Sequence, residues 1–155
     1  MILVDAVPTI VPTITNSELM KHISFASKCE LTEAECALLG QVLMYTEARM
    51  ILDQIDIPTS MSVAIFFTDD RSVQIVEDNP LALGMHKDFI IYYMDRIRLA
   101  DRRLKIVAFA EELVHHFWRI EDETAVKYKV VEIAQFIDPS ITVDLLREVY
   151  QVNGL

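Results

Sequence analysis

The chain has 155 residues, a formal net charge of −10 and 52% hydrophobic residues, with five prolines and three glycines. That length and apolar content suit one folded domain over residues 1–155 with its own core, and exclude low complexity and disorder. The acidic balance speaks against direct nucleic-acid binding, since phosphates would be repelled, and leaves a basic protein or peptide as the partner an acidic face would suit. The two cysteines, Cys29 and Cys36, are too few for a disulfide framework and lack the spacing of a zinc knuckle, which points to a reduced, cytoplasmic protein.

Residues 1–15 are apolar, but Asp5, Pro8 and Pro12 interrupt them and the stretch has no basic n-region. An extended strand or arm is expected there, not a signal peptide or membrane span. Residues 17–27 begin on the N-cap pair Asn16-Ser17 and carry Leu19, Ile23 and Phe25, which predicts a short helix. Thr32 and Glu35 make a capping box that opens a long amphipathic helix to about Gln54, with Pro58 and Thr59 beyond its end. Residues 62–67 read as a buried strand, residues 72–76 as a second and residues 88–94 as a third, the last rich in β-branched and aromatic side chains. Three further helices are expected at about 101–119, 123–137 and 139–151, the last with Pro139 in its first turn. The layout is an α+β domain in which a small mixed or antiparallel sheet packs with several helices.

Chemistry concentrates in the helix at 101–119. Ile106, Ala110, Leu113, Val114 and Phe117 form a wide apolar arc. Glu111 and His115 stand one turn apart at its margin, where a carboxylate and an imidazole can hold one metal ion. Zinc accepts that mixture, and a harder or redox-active divalent ion would suit it too. The same spacing also allows a simple hydrogen bond or ion pair, and Glu112 with His116 repeats it. A di-iron carboxylate site based on Glu112 and His115 would need a second E-x-x-H, which the chain lacks.

The run Phe89-Ile90-Ile91-Tyr92-Tyr93, a connector, and then Ile106 to His116 resembles a zincin metallopeptidase of the minigluzincin type, including small phage-borne or mobile-element members. In such proteins an edge strand precedes a helix bearing H-E-x-x-H. The resemblance covers roughly residues 88–137. It implies a zinc ion held by the helix, with Glu112 in the position of the general base and His115 in that of the second histidine ligand. Glu111 stands where the family has its first histidine, so the motif is degenerate, E-E-x-x-H. An added carboxylate weakens a metal as a Lewis acid, so the resemblance implies a retained metal with weak or absent peptide hydrolysis. It also implies a third ligand, a glutamate on the following helix. Glu132 and Glu123 are the candidates, and depth along an antiparallel helix pair favours Glu132. The resulting expectation is a metal site of Glu111, His115 and Glu132. An alternative function is an acidic, phage-type inhibitor that blocks a basic nucleic-acid-targeting protein, as anti-CRISPR or anti-restriction proteins do, with a structural zinc.

Overall fold

The computed structural model describes residues 1–57 and 61–152. Its elements run β1 (Ile2–Leu3), β2 (Ile23–Ser27), α1 (Glu33–Leu52), β3 (Val63–Thr68), β4 (Ile75–Val76), β5 (Asp88–Tyr93), α2 (Met94–Ile97), α3 (Arg102–Trp118), α4 (Glu123–Ala134) and α5 (Val143–Val152). The α+β class is as expected. Three strands form a parallel sheet in the order β2-β3-β5, and among the described residues antiparallel pairing is confined to the β1–β4 ribbon.

The central strand, β3, is buried at every position. Its side chains alternate between two apolar layers. Val63, Ile65 and Phe67 join the main core beneath the helices, and Ala64 and Phe66 join a smaller one with Leu3. The ribbon thus covers the face that the helices leave open, as a parallel sheet requires, because such sheets are rarely left wet on one side. Parallel neighbours also need a crossover. α1 supplies it between β2 and β3, whereas the β3-to-β5 crossover runs through β4 and an extended loop.

Residues 17–27 are not a helix. A single 3-10 turn at Leu19–His22 leads into β2, which pairs with β3 from Ile23↔Val63 to Ser27↔Phe67. The N-cap signal is satisfied locally, with Ser17 Oγ accepting from Met20 N at 3.0 Å. The period-2 segment after it gains more from the buried β3 than from continuing the turn.

The capping box of α1 is present: Thr32 Oγ1 accepts from Glu35 N and Glu35 Oε2 accepts from Thr32 N at 2.8 Å. Pro58 and Thr59, expected beyond the end of this helix, lie outside the described residues. α3 starts on Asp101, whose side chain accepts from Leu104 N at 3.0 Å, and ends on Arg119 at φ 54°, ψ 36°. Its arc of Ile106, Ala110, Leu113, Val114 and Phe117 is fully buried, together with Val107 and Phe109. Tyr92 pins β5 to this helix by donating to the Phe109 carbonyl at 2.7 Å. α5 begins at Val143, later than Pro139 suggests, because Asp138 first makes a turn with Ser140 and Thr142 then caps the helix through Leu145 N. Among the described residues no helix is long and apolar enough to cross a membrane.

Candidate metal centre

α3 brings Glu111 and His115 to its exposed margin, one turn apart, with Leu113 and Val114 turned into the core between them. The next ligand comes from the start of α4. Arg119 adopts the left-handed conformation that terminates a helix, and residues 119–122 carry the chain across before Asp122 caps α4 through Ala125 N at 2.7 Å. Glu123, the first residue of α4, therefore lies beside the last turns of α3. Its Oε1 is 3.7 Å from His115 Nε2. Glu111, His115 and Glu123 each offer one ligand atom, all within 4.8 Å of one another, so the three could hold a metal ion.

Two hydrogen bonds prepare this cluster. His115 Nδ1 is 2.8 Å from the Ile120 carbonyl. A carbonyl only accepts, so Nδ1 carries the proton and Nε2 is the ring nitrogen that faces Glu123. Tyr150, from α5, donates its hydroxyl to Glu111 Oε2, which leaves the other carboxylate oxygen available. Burial first, and then this bond to Glu111, push the tyrosine pKa well up, so the hydroxyl stays a donor. Lys127 Nζ lies 4.4 Å from the centre of the Tyr150 ring and holds its other side.

Glu112 borders the cluster and keeps access to solvent. Partial desolvation first, and then the neighbouring Glu111 carboxylate, raise its pKa, with His115 pulling the other way. Glu112 lines two surface grooves. One, of about 390 Å3, includes Asp88, His116 and Arg119; the other, of about 660 Å3, runs past Glu111 and Tyr150 to Leu99 and Arg96. The carboxylate in the expected base position is thus reachable from both sides.

The expected third ligand, Glu132, lies elsewhere. It faces α1, with Lys129 Nζ at 2.5 Å and Arg49 at 3.2 Å, in a cluster completed by Asp53. The preference for Glu132 over Glu123 rests on depth along two helices, but the non-helical residues 119–122 shift α4 so that its first turn, not its third, meets His115. His116 takes no part in the cluster: its Nε2 binds the Met61 carbonyl at 2.8 Å and its ring packs edge-on against Phe117. Tyr128 is exposed beside Arg147. Tyr150 carries no local signal in the sequence, since it lies 39 residues from Glu111 and only the packing of α5 joins them.

No family model matches the chain, and neither a curated protein nor a solved structure matches it.

Proposed function

We propose that the chain is a zincin-like metal-binding protein, a degenerate metallopeptidase frame in which Glu111, His115 and Glu123 hold one divalent ion, zinc first among the candidates. The observation that carries this reading is the His115 imidazole, whose Nδ1–H is committed to a backbone carbonyl while Nε2 points at a glutamate 3.7 Å away. That is the outer hydrogen bond a metal-bound histidine needs to fix its tautomer and orientation. Two zinc ligands at ordinary bond lengths in a tetrahedral arrangement stand about 3.4 Å apart, so little movement separates this pair from a shared ion. The Tyr150 bond to Glu111 supplies the corresponding support for the carboxylate.

The electrostatics favour the same reading. Glu111, Glu112 and Glu123 crowd one imidazole, and their mutual repulsion is what a bound cation would relieve. When bound, the ion supplies Lewis acidity. Two carboxylate ligands damp that acidity relative to two imidazoles, so weak or absent hydrolysis is expected. Glu112, with its raised pKa and access from two grooves, is placed to accept a proton if any hydrolysis remains.

Elemental analysis of the purified protein tests the reading. About one divalent ion per chain, lost in His115→Ala, is expected; no stoichiometric ion would overturn it. Assay of a quenched fluorescent peptide library with the wild type and Glu112→Gln then measures any residual hydrolysis, which is expected to be slow and to vanish in the variant.

A further inference from the structure

The chain is acidic overall, yet five of its 14 Lys and Arg residues, Arg96, Arg98, Arg102, Arg103 and Lys105, fall within residues 96–105, where Asp101 is the only one of its 24 acids. Two of the five, Arg102 and Lys105, line a groove of about 460 Å3 between α1 and α3, while Arg98 pairs with Glu35 and Arg103 with Asp101. The groove is separate from the candidate metal centre. Lys105 and Glu111 are six residues apart on α3, about 120° apart round the helix.

The groove has an apolar body. Phe109 and Ile97 are buried in its base, and Ala34, Ala37 and Leu38 line the α1 side. Its polar lining comprises Lys105 and Arg102 with Thr32, Gln41 and Glu35, and among the described residues Lys105 has no acidic partner, in a chain where acids outnumber bases. Among the described residues Arg102 has only a long contact to Asp138, 3.9 Å, and it stays more than half exposed. Glu35 is the acid of the lining, but Arg98 binds both its oxygens, at 2.7 and 3.2 Å.

A pocket with an apolar floor and a few convergent polar groups is the ordinary form of a small-molecule site, and this volume lies within the usual range of about 300–1,000 Å3. It is too small to seat a protein partner, which needs about 800 Å2 of surface on each side. We propose that the groove between α1 and α3 binds a small anionic amphiphile, an apolar body bearing one carboxylate, with Lys105 and Arg102 receiving the carboxylate and Phe109, Ile97 and Leu38 the body. Two cations with little acidic pairing attract an anion to this groove on a chain whose net charge is −10.

Calorimetric titration with sodium octanoate and with 1-octanol, its uncharged counterpart, tests this. The wild type is expected to bind octanoate at one site, about tenfold more tightly than octanol, as a charged hydrogen bond would give. Lys105→Met should erase that preference while octanol binding persists. Ala37→Trp, at an exposed position on the groove wall, should block both ligands, with circular dichroism confirming the fold of each variant. The titration is repeated after EDTA treatment, and the preference should be unchanged. Absence of octanoate binding, equal affinity for the two ligands, indifference to both substitutions, or loss on chelation would each overturn the proposal. The last outcome would place the carboxylate on a metal instead, so this test stands or falls apart from the metal reading.

Discussion

His115 holds its place because its two ring nitrogens have different tasks, one bound to the Ile120 carbonyl and the other facing Glu123. Glu123→Gln is therefore expected to lower metal affinity by at least tenfold, as loss of a charged ligand should, whereas Glu132→Gln should leave it unchanged and only loosen the Arg49 and Lys129 pairs. Competition against a chromogenic zinc chelator distinguishes the two. Tyr150→Phe removes the hydroxyl from Glu111, and a loss of about tenfold in affinity is expected from such a supporting bond. At this scale the sequence shows Glu111 and His115 plainly, because i, i+4 spacing is a local property of one helix. Glu123 and Tyr150 are placed by a turn and by a docked helix, and neither is a property of spacing.

The elements best read from the sequence are those with explicit ends. Thr32 and Glu35 mark the start of α1, and Asp101 and Asp122 cap α3 and α4. Residues 17–27 misled because a good N-cap precedes a segment whose alternating Ile23, Phe25 and Ser27 suit the edge of a parallel sheet. The four-residue α2 has no periodicity to show. Arg119 ends α3 without glycine, at φ 54°, and this hides the turn from a search for glycine or proline. Arg119→Gly should relieve that conformation and raise stability by roughly 0.5 kcal/mol, the exposed Arg119–Asp88 pair at 3.6 Å offsetting little. Thr32→Ala removes half of the capping box and should cost about 1 kcal/mol. Urea melts of both variants check the two signs.

Across the whole molecule, α1, α3 and α4 are tied together by Asp53, at the end of α1. It accepts from Lys129 and from Trp118 Nε1 at 2.7 and 2.8 Å and pairs with Arg49 at 2.7 Å. Burial works to raise its pKa, but the hydrogen bonds from Lys129, Arg49 and Trp118 outweigh burial and hold it at about 2, against an ordinary 3.8. Because the folded-state value is the lower one, the stabilisation is present in full above about pH 4 and is lost as pH falls toward 2. Solvent screening limits it to the order of 1 kcal/mol. Denaturant melts between pH 5 and 2 should lose stability less steeply in Asp53→Asn than in the wild type.

In the proposed site Glu111, His115 and Glu123 share one ion. Metal-depleted wild type, Glu123→Gln and Glu132→Gln, titrated with zinc in a calorimeter, test this most directly. One zinc per chain in the wild type and in Glu132→Gln, with much weaker binding in Glu123→Gln, is the predicted result. No binding by the wild type, or binding that depends on Glu132 and ignores Glu123, would contradict it.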